Sequence, residues 1–158
     1  MKRTSNVGLA VIIIGVVAII LATAIIFVSS KIQSRVSLNI GDGIFTAKLA
    51  NTQSLRDKGL SGVTNLSHDQ ALILAYPSDG KWPIDMKNME VPVDIVWLNA
   101  DRKIIYIVKN ASADNVDSVF MPKTDARFVI ELPAGSVDNL NIRSGYSAVF
   151  NIDGEKIK

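Results

Sequence analysis

Residues able to do chemistry are sparse in this chain and concentrate in one stretch. Between Lys81 and Asn110 lie Met86-Lys87-Asn88 and Asp94, the densest polar groups set against apolar ones. In a strand over Val91 to Asn99, Asp94 shares its face with Pro92, Val96 and Leu98, so a carboxylate stands on an apolar side. A half-buried acid there needs a partner, and Lys87 or the Asn88 amide could supply it from the preceding segment. Two readings follow. One is a polar cleft that holds a small polar ligand. The other is a structural bridge, since Asp and Asn commonly bind nearby backbone amides. Arg56, on a short helix, either contributes to the same cleft or is simply solvated. Trp82, beside Pro83 after a glycine turn, is either a stacking platform for a sugar or peptide or an aromatic cover for a core edge.

No catalytic set is visible. His68 is the single histidine, it sits in a polar loop, and its neighbour Ser67 is too close in sequence to define a triad. G-x-S-x-G does not occur. The absence of cysteine removes disulfides, thiolate catalysis and Cys-type zinc sites, and with one histidine a metal site would need mainly carboxylates. The expectation is no catalytic residue, no metal ligand and no cofactor.

The elements that must position these residues are short and mostly extended. Ile44 to Ala50 alternates as a strand entered from Gly41-Asp42-Gly43. A helix over Thr52 to Lys58 has Thr52 to cap it and Gly59 to end it in the left-handed position, with Leu60 reaching back to Leu55. Ala71 to Tyr76 reads as a buried strand stopped by Pro77. Val91 to Asn99 and Lys103 to Lys109 form a hairpin about the turn Asn99 to Arg102, and the first of them is apolar on both faces, as a central strand would be. Asn110 to Thr124 reads as a surface loop. Arg127 to Leu132 alternates, with Phe128, Ile130 and Leu132 opposite Arg127 and Glu131. A helix over Gly135 to Leu140 ends at Asn141, and a last strand places Tyr146, Ala148, Phe150 and Ile152 on one face. The fold class expected is mainly β (α+β): an antiparallel sheet, without βαβ rhythm, curled into a barrel-like sandwich with two short helices and preceded by one N-terminal transmembrane helix.

That helix is read from Val7 to Val28, a charge-free run that would span roughly 33 Å as an α-helix, about one hydrocarbon core. Ala22-Thr23-Ala24 has the form of a signal-peptidase site, but the apolar run continues past it, which favours an uncleaved signal anchor. Lys2, Arg3 and the amine precede the run and Lys31 and Arg35 follow it, a slight bias toward a cytoplasmic N-terminus and an extracytoplasmic domain. The organisation expected is a cytoplasmic N-terminus over 1–6, an anchor over 7–28, a stalk over 29–35, a β-rich domain over 36–152 and a frayed charged tail over 153–158. Beyond the run, 15 basic residues face 15 acidic ones, and no basic cluster suggests nucleic acid as a partner.

Four segments carry a family likeness: Arg56-Asp57-Lys58-Gly59-Leu60; Met86-Lys87-Asn88-Met89-Glu90-Val91-Pro92-Val93-Asp94-Ile95; the strand pair ending at Ile107; and Glu131-Leu132-Pro133-Ala134-Gly135 with Ile142 to Gly145. In this order they resemble the family of proteins with domain of unknown function 192, often membrane-anchored or exported. The chain departs from its pattern at Gln70-Ala71 (commonly Gly-Met), Asp85 (commonly aromatic), Met89 (commonly Thr) and Arg102 (commonly Gly). The resemblance implies a compact β-rich domain with no agreed reaction.

The combined expectation is a single-pass, membrane-anchored extracytoplasmic module, non-catalytic, binding a small polar ligand or an envelope protein. Its cleft would be lined by Lys87, Asn88 and Asp94, with Arg56 and Trp82 beside them. The rivals are an envelope hydrolase, in which a desolvated Lys87 would serve as base, and a structural partner of another membrane protein.

Overall fold

The computed structural model describes residues 11–20, 33–114, 116–153 and 156–158. Residues 11–20 form a helix, α1. Most of the expected anchor over 7–28, and residues 29–32 of the expected stalk over 29–35, lie outside the described residues. Among the described residues no helix is long and apolar enough to cross a membrane. The rest of the chain, from Ser34, is a unit of its own.

In chain order this unit contains β1 (Arg35–Ile40), β2 (Gly43–Ala50), α2 (Gln53–Lys58), β3 (Gln70–Gly80), β4 (Ile84–Asp85) and β5 (Val93–Leu98). Then come β6 (Ile104–Ala111), β7 (Val119–Phe120), β8 (Ala126–Pro133), α3 (Ser136–Asn139) and β9 (Val149–Phe150). Seven strands form one sheet in the order β6-β5-β8-β3-β2-β1-β9, and β4 pairs with β7 in a separate ribbon. The pairings are antiparallel except for β2 with β3, which is parallel. The expectation of a mainly antiparallel sheet holds, and the expected absence of a βαβ rhythm fails at this one pair. α2 and the loop after it return the chain to the end from which β2 set out, so β3 must run alongside β2, as a βαβ unit requires.

The expected curl is present, as a half-barrel. Lys103 bridges Ser147. Ile104 N donates to Tyr146 O at 2.8 Å, and Gly145 N donates to Ile104 O at 2.8 Å. These bonds join the start of β6 to the run into β9, from opposite ends of the strand order. The two layers of the expected sandwich are instead two faces of one sheet, each with its own core. On one face Leu38, Leu49, Ile73, Val96, Ile130 and Leu132 pack with Val137 of α3. On the other Leu72, Leu74, Met86, Ile95, Trp97 and Val129 pack beneath α2 and the segment before β5. With both faces covered, all six residues of β5 are buried.

Local signals placed the caps correctly. Thr52 Oγ1 accepts from Leu55 N at 3.3 Å, and Gly59 ends α2 at a positive φ of 49°, though with ψ −134° rather than in the left-handed helical position expected. Asn141 takes the left-handed position after α3 at φ 54°, and Ile142 N returns to Val137 O at 3.1 Å.

Two expectations failed. β3 runs through Pro77 to Gly80, because a register shift against β8 between Ala75 and Gly80 leaves the proline without a ladder bond to make. The tail is docked where it is described: Lys158 N donates to Asn51 O, and Asn51 Nδ2 to Lys156 O, while Ile157 packs on the first core.

Candidate functional site

α2, β3, the β4 ribbon and the turn after it surround a cleft of about 390 Å³. Arg56, Trp82, Lys87 and Asn88 all line it, as do Tyr76, Asp85 and Glu131. Met86 anchors the Lys87-Asn88 turn: its side chain is fully buried, and its carbonyl accepts from Met89 N at 3.2 Å. Asn88 is left-handed, φ 59°, and its carbonyl accepts from Gly62 N at 3.2 Å, tying the turn to the loop after α2. Asp85 Oδ1 accepts from Lys87 N at 2.9 Å. Lys87 and Asn88 thus stand exposed at the rim on a backbone fixed from below.

Arg56 is not a solvated surface residue. It is buried, and it donates to Ala75 O at 2.8 Å, Gln53 Oε1 at 3.1 Å and Lys158 O at 2.6 Å. Its guanidinium lies 5.1 Å over the Tyr76 ring, and Tyr76 in turn stacks on Trp82 with ring centroids 4.2 Å apart. The three form a pile that braces one wall. Trp82 thus has one face taken by Tyr76. Its carbonyl accepts from Trp97 Nε1 at 2.8 Å, whereas its own Nε1 is buried without a partner.

Asp94 does not belong to this cleft, which corrects the expected grouping with Lys87 and Asn88. The pleat turns it to the face of the first core, where it is fully buried. Opposite it, β6 bulges between the pairs Val93–Ala111 and Ile95–Val108. The bulge leaves Asn110, at φ 49°, with a free amide, and Asp94 Oδ1 accepts from it at 2.7 Å. Asp94 Oδ2 accepts from Val137 N at 2.7 Å. α3 starts from Gly135, which has no side chain to cap it, so Asp94 supplies the capping oxygen across 43 residues of sequence. The structural reading of Asp94 holds.

Glu131 is the residue the sequence reading missed. In register it faces Leu72 of β3 and Ile95 of β5, and it is only 4% exposed. Its Oε2 has no hydrogen-bond partner. Burial, and next the charge of Asp85, push its carboxyl from 4.5 up to about 7. Burial likewise pushes the Tyr76 hydroxyl up to about 12, against the opposing pull of Arg56. The alternation in β8 matches the expectation, but Glu131 was not singled out on the face opposite Ile130, because nothing local shows that α2 covers that face.

Residues 36–150 match the DUF192 family, described as an uncharacterized ACR. A UPF0127 protein of Thermococcus gammatolerans is 31% identical over 113 residues, 70% of each chain. One from Thermococcus kodakarensis is 30% identical over 98 residues, 62% of this chain and 60% of the other. Two crystal structures share the fold at a TM-score of 0.68. One, named as a candidate transcription regulator of Sinorhizobium meliloti, is 24% identical, covering 75% of this chain and 94% of that one. The other, of unknown function from Novosphingobium aromaticivorans, is 23% identical, covering 74% and 84%.

Proposed function

The chain belongs to the DUF192 family, and from that premise we propose that its domain is a binding module for a small polar ligand held in the cleft beneath α2. One observation carries this reading. A buried carboxyl group with an unpartnered oxygen sits among the lining residues of a cleft large enough for a small molecule. A protein interior seldom keeps such a group without a use for it, because an unsatisfied buried acceptor costs about 1–3 kcal/mol. Lys87 and Asn88 form the rim that a ligand meets first, while Arg56 and Trp82 hold the wall and Asp94 holds the fold.

The module is carried on a membrane and faces away from the cytoplasm in this reading. The support is the charge-free run Val7 to Val28, within which α1 presents exposed Val11, Ile12 and Ile14.

A ligand-observed NMR screen of the full chain in detergent, repeated on Ser61→Trp, tests the binding half. Ser61 lines the cleft, and an indole there fills it from the rim. Binders that are lost on Ser61→Trp support the reading. A screen whose only binders ignore that substitution sinks it. For the anchoring half, the chain should stay with membranes after an alkaline wash and be cut by protease added outside intact cells. Recovery in the soluble fraction contradicts it.

A further inference from the structure

We infer that the ligand of this cleft carries a cationic nitrogen, an amine or guanidine on a partly apolar frame, which ion-pairs with Glu131 between the aromatic wall and Asp85. The inference rests on the binding reading above and specifies its ligand.

Three features of the cleft converge on it. Glu131 is a carboxyl group 4% exposed, lining the cleft, with Oε2 unpartnered. The ion pairs among the described residues, Lys109 with Asp138 and Arg127 with Asp79, involve neither Glu131 nor Asp85. The cations nearest in the lining do not serve it. Arg56 directs Nη1 and Nη2 to Ala75 O, Gln53 Oε1 and Lys158 O, its buried Nε makes no hydrogen bond to Glu131, and Lys58 and Lys87 are exposed at the rim. The second feature is that Asp85 lines the same cleft and its charge acts on Glu131 in the repelling sense. A cation placed between the two acids offsets the repulsion that Asp85 exerts on ionised Glu131. The third is the wall itself. The Tyr76–Trp82 stack and the side chains of Leu60, Leu74 and Ile84 give an apolar and aromatic lining, which suits an organic ammonium better than a hydrated metal ion.

A neutral ligand would act oppositely, because it would accept a hydrogen bond from protonated Glu131. The direction of the pH dependence therefore separates the two. A cation binds the ionised acid, so its affinity rises as pH passes upward through about 7. The charged groups that face Glu131 are Asp57, Arg56 and Lys58 from α2 and Asp85 and Lys87 from the opposite rim, with the Tyr76 hydroxyl from β3.

The test titrates benzylamine, benzyl alcohol and benzoate into the full chain in detergent, at about pH 5.5 and about pH 8. The readout is the indole N–H resonance of Trp82. Benzylamine is expected to bind about 10-fold or more tighter than benzyl alcohol at the higher pH, and to weaken about 10-fold at the lower one. Glu131→Gln should remove both the preference and the pH dependence, and Asp85→Asn should reduce the preference about two- to five-fold without abolishing binding. Equal or tighter binding of the alcohol or of benzoate, lost on Ser61→Trp, overturns the cationic ligand and leaves the binding module standing. Benzylamine binding that survives Glu131→Gln unchanged overturns the pairing as well. If no probe moves the resonance while the wider screen yields only binders without a cationic nitrogen, the inference again fails alone. A screen with no cleft binder at all ends both.

Discussion

Two buried carboxylates on neighbouring strands of one sheet have opposite fates. Asp94 of β5 lies beside Leu132 of β8, and Ile95 lies beside Glu131, so a step of one residue along the ladder turns the acids to opposite faces. Asp94 is enclosed by the first core and receives two backbone amides, each at 2.7 Å. Glu131 opens on the second face into a cleft and keeps an oxygen without a partner. One acid has had its chemistry consumed by the fold. The other has had it preserved. Burial is nearly the same for both, so burial alone does not mark function. The distinction lies in whether the surrounding backbone has donors left over. A bulge in β6 and a helix begun on glycine create two such donors at Asp94, whereas the regular ladder around Glu131 creates none.

The largest effect should come from taking away the satisfied acid. Asp94→Ala strands the buried Val137 amide and the part-buried Asn110 amide at once, and we expect a loss of about 4 kcal/mol in urea unfolding. A loss under about 1 kcal/mol would erase the contrast drawn above. Next comes Glu131, whose effect has the opposite sign. Its folded carboxyl holds a proton more tightly than the unfolded one, with values of about 7 and 4.5. The folded state is thus favoured most at and below about pH 4.5, and the advantage fades as pH rises to about 7, a change of ~3 kcal/mol. Glu131→Gln should therefore stabilise the domain by up to ~3 kcal/mol at about pH 8 and leave it unchanged at about pH 4. A stability that does not depend on this residue across that window would mean that the carboxyl is better solvated than its burial indicates.

A smaller effect distinguishes a helix capped by its own neighbour from one capped across the fold. Thr52→Ala removes the local cap of α2 and should cost about 1 kcal/mol, well short of Asp94→Ala, which uncaps α3 and releases Asn110 together. The smallest belongs to the rim. Lys87→Ala should change stability by no more than about 0.5 kcal/mol, since the side chain is exposed and its turn is held by Met86 and Asn88. Any change in ligand affinity on that substitution then reports on the cleft and not on the fold.

Much of this was legible in the chain before it folded. The hairpin of β5 and β6, both short helices after residue 50, their caps and the alternation of β8 follow from neighbours within a few residues, where capping, turn chemistry and side-chain period act. The site was half legible. Lys87 and Asn88 were placed together because they are adjacent in sequence. Asp94 was placed with them because it lies a few residues on, but the pleat sends it to the opposite face. Glu131 stood in the expected strand, and it was not singled out because alternation tells which residues share a face and not what covers that face.

What the sequence by itself determined is local: element types, their caps, and the apolar periods that require a sheet buried on at least one side. What only the tertiary structure decided is which donors meet which acceptors across long separations in the chain. The amide of Val137 reaches Asp94 from 43 residues away, and Arg56 reaches Lys158 from 102 away. No local rule encodes such pairings, because they depend on strand order and on a single parallel crossover between β2 and β3. The same crossover lays α2 over the second face of the sheet. That placement turns an ordinary glutamate in an alternating strand into a buried acid that titrates near neutrality, since a carboxylate moved out of water without a partner holds its proton.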